Sequence, residues 1–239
     1  MAFQLSPGVN VSEIDLTTVV PSVLTTAGAF AGTFSWGPAN KIVLVDSEIT
    51  LTKAFGEPDS NSAVSFFTAA NFLAYGNNLS VVRAVGSTSY NATANGSSIQ
   101  ISNSDDYENS YLYETTDTYG GIVARYPGSI GNSLKVSICA NTSLFSTWDY
   151  KSYFTAAPGT SEYATSVGGS NDEMHIIVVD ENGLFTGTAG TVLETYPFVS
   201  KASDAKDDSG NSNYYKNVIT NKSKYVRWMS HPTANTIAT

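Results

Sequence analysis

The chain has 239 residues, enough for one large domain or two modest ones with a sizeable buried core. Hydrophobic residues make up 41% of it but charged residues only 14%, which indicates a folded protein with an uncharged polar surface. The net charge of −9 argues against binding nucleic acid or anionic lipid, and no apolar run reaches the roughly 20 residues that span a bilayer. A weakly charged surface suits a subunit covered by neighbours, but an ordinary β-rich protein has the same composition.

Residues 1–22 predict an extended arm rather than an amphipathic helix. Apolar and polar residues alternate from Val9, as in a strand, and Pro21 excludes a central strand position. The apolar side chains would be costly to leave in water, so we expect the arm to add a strand to a partner's sheet. The ordinary alternative is a frayed terminus. The residues assigned to this inter-subunit contact are Val9, Val11, Ile14, Leu16, Val19 and Val20.

Residues 23–85 predict the first part of a core domain. Residues 25–34 are small and apolar, like a strand buried on both faces, and residues 41–45 and 79–85 predict two more strands. A short helix begins after Asp46 or Ser47 and ends at Gly56. A second helix lies between residues 62 and 75. Its predicted core face consists of Ala63, Phe66, Phe67, Ala70, Leu73 and Ala74.

The character of the sequence changes over residues 86–121, where Ser, Asn, Thr, Tyr and Asp dominate and only short alternating pieces occur. This composition predicts an inserted, surface-exposed β segment that projects from the core and can be removed without unfolding it.

Residues 122–239 predict the second part of the core domain. Alternation over residues 134–139 indicates a half-buried strand, and residues 174–180 a second strand followed by the hairpin turn Asn182-Gly183 before Leu184 and Phe185. A short helix fits residues 213–220, and a strand fits residues 224–228. The expected fold is therefore α+β, with a β-rich mixed-sheet core and a few short helices.

Titratable residues give little support for catalysis. His175 lies within a strand and His231 in a polar tail, while Cys139, the single cysteine, alternates with apolar residues and is interpreted as packed. Asp180 and Glu181 are adjacent and would point to opposite faces of a strand. We expect no catalytic, cofactor-binding or metal-binding residues and no enzyme activity. A calcium loop is disfavoured at Asp204, Asp207, Asp208 and Gly210 because the carboxylate spacing is wrong and Lys206 lies among them.

Several short motifs, in order along the chain, resemble the contractile tail sheath proteins of myovirus-type phages. The most specific is residues 124–136 (ARYPGSIGNSLKV). The others are LSPGV at 5–9 with Glu13, AGTFSWGP at 31–38, Phe55-Gly56, NFLAYGN at 71–77 running into VVRAV at 81–85, residues 180–190 and residues 223–228. Residues 86–121 match least.

The resemblance implies a structural subunit that polymerises into six-membered rings around a tail tube and contracts to drive the tube through the host envelope. It implies contacts with neighbouring sheath subunits, the tube protein, and baseplate and tail terminator proteins. It places the protein in the virion tail after assembly in the host cytoplasm. The family's C-terminal sheath domain is expected to be absent from this chain.

Two alternatives stay open. The 14 Tyr residues and abundant Asn and Ser are compatible with a carbohydrate-binding or glycan-cleaving β module of a phage tail fibre. The sheath of a bacterial tailocin or secretion system would have the same motifs.

Overall fold

Small and β-branched residues build the first sheet. In the computed structural model, which describes residues 27–94, 96–113 and 118–231, β1 (Ala27–Gly32) runs parallel to β3 (Asn78–Arg83). Strand β2 (Ile42–Val45) pairs antiparallel with the other side of β3, so β3 is central. Helices α1 (Glu48–Phe55) and α2 (Ala63–Leu73) lie between β2 and β3 and pack on one face of the sheet. We call residues 27–85 the sheet module.

The two helices of the sheet module are where the sequence predicts them. The Ser47 hydroxyl accepts a hydrogen bond from the Thr50 amide at the start of α1, and Gly56, with φ of 77°, ends the helix. The predicted core face of α2 is partly wrong. Phe66 and Ala69 are buried, whereas Phe67 is 53% exposed and Ala74 lies at the surface. The buried stripe of α2 is narrower than the predicted one and displaced around the helix, because the sheet covers only the side chains nearest to it.

Strand β1 is confirmed, but its expected burial on both faces is wrong. Alternate residues are exposed because the helices cover only one side of the sheet. On that covered side the backbone is close to α2: a Cβ on Gly28 would lie 2.6 Å from the Phe72 ring. A side chain at this position would therefore have to displace the Phe72 ring.

The β character predicted for residues 86–121 is wrong in the described part of that range. The only regular element there is helix α3 (Ser104–Ser110), and the strand-like pieces amount to isolated bridges. Ile99, Ile101 and Tyr107 are buried against Val123 and Met229, so the segment supplies a cluster of the core. The polar composition of the segment led to the wrong prediction of an exposed β segment, because its packing depends on a few apolar residues that are far apart in sequence.

A second sheet has the order β5-β6-β7, formed by β5 (Leu134–Cys139), β6 (Glu173–Asp180) and β7 (Thr191–Ser200), all antiparallel. Helix α6 (Tyr215–Lys222) covers one face. Short helices α4 (Thr142–Phe145) and α5 (Glu162–Ser166) precede β6. Aromatic residues around Trp148 cover the other face. A separate two-stranded pair joins β4 (Ile122–Ala124) to β8 (Val226–Trp228).

The second sheet departs from expectation in two places. Strand β5 is confirmed, but Ser137 and Cys139 are buried too, because the aromatic residues cover the face expected to meet water. The turn at Gly183 is present with φ of 76°, yet the return strand begins at Thr191 rather than at Leu184. Strand β7 was missed because Pro197 lies inside it, where the ladder is irregular.

The α+β class is confirmed. The arm of residues 1–22 lies outside the described residues, and the domain boundaries at 22, 85 and 121 stay predictions.

Candidate interaction surfaces

The sheet module has one uncovered face. The cross-strand rows on this face are Ala29, Ser80 and Leu44, and Ala31, Val82 and Ile42. Leu44 is 63% exposed and Ile42 is 69% exposed. We call these two rows the open face. It carries no charged side chain, so it is inexpensive to remove from water and suited to contact with another protein surface.

The pleat explains why apolar side chains face outward here. Residues alternate along each strand, and Val45, Leu79 and Val81 fill the inner face beneath α1 and α2. A four-residue strand of only Ile, Val and Leu must then place half of them on the other side. Strands β1 and β2 also have unpaired edges within the described part of the chain.

More exposed apolar side chains lie on the helices of the module. Phe67 on α2 is 53% exposed and Tyr75 just after it 96% exposed, and Ile49 and Val64 are also exposed. Together with Ile42 and Leu44 they make up six of the eleven large exposed apolar residues found among the described residues. Such a concentration in one unit is typical of an interaction surface.

Arg83 joins the sheet module to the rest of the protein. Its guanidinium is buried and donates hydrogen bonds to the carbonyl oxygens of Phe34 (2.9 Å), Gly37 (2.9 Å) and Pro127 (2.8 Å). Burial lowers the pKa of Arg83 to about 10, which still leaves it protonated at neutral pH. Backbone from two separate parts of the chain is thereby held in one rigid arrangement.

His175 lies in the core, and its ring compensates for the irregularity in β7. Phe198 has φ of 52°, and its amide donates to His175 Nδ1 at 3.0 Å instead of to a strand neighbour. Nε2 lies 2.8 Å from the Ala156 carbonyl oxygen, and the ring stacks on Phe154 at 4.3 Å between centroids. Both nitrogens are satisfied only by the neutral Nε2–H form, so the ring is structural.

Protonation of His175 is expected to destabilise the protein. Burial lowers the pKa of His175, although the nearby Glu173 charge opposes the shift. The unfolded chain therefore binds a proton more readily, and stability should fall as pH drops through about 6.5. Below about pH 6.5 the slope cannot exceed the uptake of one proton, about 1.4 kcal/mol per pH unit. Denaturant unfolding of wild type and His175→Phe at several pH values tests this. The variant should be less stable but flatter with pH, and equal slopes would contradict the assignment.

Asp180 and Glu181 do not form a shared site: Asp180 is the last residue of β6, and Glu181 begins the turn that follows. Asp180 is buried and accepts hydrogen bonds from the Ser133 hydroxyl and from the amides of Phe185 and Thr186. Burial alone would raise its pKa, but these hydrogen bonds outweigh it and lower the pKa. Glu181 is exposed and pairs with Lys135 at 3.3 Å. Asp180 therefore organises the β6–β7 turn.

The other titratable residues also have structural positions. Cys139 is buried, as expected, and burial raises the pKa of its thiol. His231 was expected to be solvated; it is exposed, but its ring contacts Tyr215 and Trp228. Asp207 accepts from the amides of Ser209 and Asn211, closing a tight turn.

Across residues 27–94, 96–113 and 118–231, no group of three His, Cys, Asp or Glu side chains is arranged to hold a metal ion. In the same ranges, no helix combines the length and hydropathy needed to cross a bilayer.

The six arm residues Val9, Val11, Ile14, Leu16, Val19 and Val20 lie outside the described residues. The sequence predicts a strand over residues 41–45 but does not show which of its faces is covered, so the open face was not predicted. Lys41 and Asp46 are charged residues directly before and after the apolar run from Ile42 to Val45. Such flanking charges are the signal in the sequence that this is an edge strand.

Comparison with known proteins shows that this chain is similar to tail sheath proteins. Residues 25–84, nearly the whole sheet module, match the family model described as tail sheath protein Gp18 domain III N-terminal region. A tail sheath protein of Salmonella phage ViI is 33% identical over 193 residues, which is 80% of this chain and 28% of that protein. A tail sheath protein of enterobacteria phage T4 is 46% identical over 81 residues, 34% of this chain and 12% of that protein.

Among solved structures, a sheath tail protein of Listeria innocua aligns with 87% of this chain and 30% of its own length, at 13% identity and a TM-score of 0.42. The chain spans less than a third of the length of the phage relatives that it matches.

Proposed function

The chain belongs to the tail sheath protein family, and on that basis we propose that it is a structural subunit of a contractile phage tail sheath. The observation that carries the proposal is the match of the sheet module to a sheath domain, together with the apolar open face of that module. A helical polymer needs subunits with large surfaces that neighbouring protein covers. The proposed role is mechanical, and the titratable side chains described above are used in folding.

The proposed partners follow from the family. The subunit polymerises with further sheath subunits around the tail tube protein and meets baseplate and tail terminator proteins at the ends of the sheath. It is a component of the virion tail that is assembled in the host cytoplasm. The strand-addition arm of residues 1–22, with its six apolar residues from Val9 to Val20, belongs to this proposal.

Rigid subunits are a requirement of the proposed mechanism. A contraction passed from ring to ring requires each subunit to move as one body while its contacts change. The hydrogen bonds of Arg83 support such behaviour, because they join the sheet module to the segment around Pro127.

A charge on the open face tests the proposal. Leu44→Lys, introduced into the gene in its phage, is expected to leave the free energy of unfolding within about 0.5 kcal/mol of wild type, because Leu44 is exposed. Burying the ammonium in an assembled sheath should cost more than about 1.4 kcal/mol, enough to lower assembly by about tenfold or more. Electron microscopy of tails, counted per cell lysate, is the measurement.

Val167→Lys is the matched control, since Val167 is equally exposed but lies after α5, outside the sheet module. Its tails should form in wild-type numbers. Normal sheaths built from the Leu44→Lys protein would show that the open face is not covered during assembly.

A further inference from the structure

An open groove of about 730 Å³ lies between the sheet module and three other segments: residues 125–126, the β6–β7 turn at Phe185, and residues 221–225. Four aromatic rings form its floor. Trp36 packs edge-on against Phe185 at 5.0 Å and Tyr126 at 5.3 Å, and Phe185 packs against Tyr225 at 5.3 Å. Trp36 is only 6% exposed, so the rings support one another and give the groove a fixed shape.

The groove is basic although the protein is acidic. Lys53, Arg125, Lys222 and Lys224 line it, one third of the 12 Lys and Arg residues of the chain. The three lysines have no carboxylate partner in the described residues, where the ion pairs are Lys41–Asp105 and Lys135–Glu181. Arg125 donates to the Ser223 carbonyl oxygen.

Three carboxylates lie close to the groove. Glu57 lines the groove. Glu194 accepts hydrogen bonds from the Ser223 hydroxyl and the Lys224 amide. Asp180 accepts a hydrogen bond from the amide of Phe185, one of the four aromatic residues. Four cations against three carboxylates leave the groove with one excess positive charge in a chain whose net charge is −9. Its surface therefore favours an anionic ligand.

The opposite end of the second sheet is acidic. Strands β6 and β7 run from the turn that carries Phe185 to a far end about 25 Å away, where Glu173 pairs with Ser200. The loop that follows carries Asp204, Asp207 and Asp208, all exposed.

This acidic loop is preformed. Asp207 accepts from the amides of Ser209 and Asn211, and the Gly210 amide donates to the Asp207 carbonyl oxygen. Lys206, which pairs with Ser212 beside the turn, is the one cation among the three carboxylates. At the base, the ammonium of Lys201 donates to the carbonyl oxygens of Ala140 and Asn171. We call residues 203–211 the acidic loop.

We propose that the groove binds the acidic loop of a second copy of this chain. The proposal rests on the proposed function, because it assigns one of the contacts by which sheath subunits would polymerise. Complementary charge selects the partner, and the carboxylates of the loop would form charge-assisted hydrogen bonds with the lysines. A contact between opposite ends of identical subunits is heterologous, so it repeats into a ring or a helical row instead of closing as a dimer.

Cysteine cross-linking in assembled sheaths tests this contact without altering its charges. Asn221 is exposed on the groove wall and Ser209 is exposed in the acidic loop, while the native Cys139 is buried. The double variant Asn221→Cys/Ser209→Cys, treated with a mild thiol oxidant, should give a ladder of covalent oligomers on a denaturing gel. Asn221→Cys/Ser143→Cys is the matched control, because Ser143 is equally exposed but lies in α4, and it should give monomer.

Charge reversal identifies what holds the contact. Adding Lys222→Glu and Lys224→Glu to the double-cysteine variant should reduce the ladder by about tenfold or more, and adding Asp204→Lys and Asp208→Lys as well, which leaves Asp207 and its turn intact, should restore it. Sheaths that form normally but give no ladder, or the same ladder as the control, would overturn the inference and leave the proposed function intact. A wild-type protein that never enters a sheath would instead count against the proposed function.

Discussion

Replacing Arg83 with methionine is expected to lower the free energy of unfolding by about 3–5 kcal/mol. The side chain is 3% exposed, and methionine fills much of its volume without supplying a donor. The carbonyl oxygens of Phe34, Gly37 and Pro127 would lose their hydrogen bonds in a region that water does not reach. Each unsatisfied buried acceptor costs about 1–3 kcal/mol, and these costs overlap because the three share one cavity.

Urea unfolding followed by tryptophan fluorescence measures this change. Arg83→Lys should fall between the variant and wild type, since an ammonium keeps the charge but cannot reach three separate carbonyl groups in the planar arrangement of a guanidinium. Lys53→Met is the control for loss of an exposed cation and should change stability by no more than about 0.5 kcal/mol. Equal stability of Arg83→Met and wild type would mean that Arg83 does not hold the two parts together.

Deleting residues 87–120 and joining the ends with a flexible linker is expected to abolish cooperative unfolding. The deletion removes Ile99, Ile101 and Tyr107 and uncovers Val123 and Met229. It also removes Asn91, whose amide donates to the carbonyl oxygens of Ile101 and Ala124. Truncating one large buried side chain costs about 2–5 kcal/mol, so the sum is comparable with the total stability of a domain, about 5–15 kcal/mol.

Calorimetry and near-ultraviolet circular dichroism of the deletion protein provide the measurement. Two single substitutions test the same packing with a smaller effect on the free energy of unfolding. Ile101→Ala should cost about 2–5 kcal/mol, whereas Ile49→Ala, at an exposed position, should stay within about 0.5 kcal/mol of wild type. A sharp thermal transition in the deletion protein would restore the view of this segment as a dispensable insertion.

Patterns confined to a few neighbouring residues predicted the local structure well. The capped helix from Glu48 to Phe55, the strand from Glu173 to Asp180 and the helix that buries Tyr215, Val218 and Ile219 all lie close to where the sequence places them. Their signals are capping residues, continuous apolar runs and helical spacing, which act within one or two turns of chain. Strand β7 was not predicted because Pro197 interrupts its local pattern. The strand tolerates this irregularity because of His175, 22 residues earlier than Pro197, and that distant compensation cannot be seen in the local sequence.

The sequence by itself determined the α+β class, most of the helices and strands, and the resemblance to sheath proteins, because each depends on local pattern or on motif order. Only the tertiary structure decided which faces are buried. It placed Ile42 and Leu44 on an uncovered sheet face, brought Ile101 and Tyr107 into the core, and gathered Lys53, Lys222 and Lys224 around one groove. The physical reason is that burial and electrostatic potential are sums over neighbours far apart in sequence, and no window of the chain contains those neighbours.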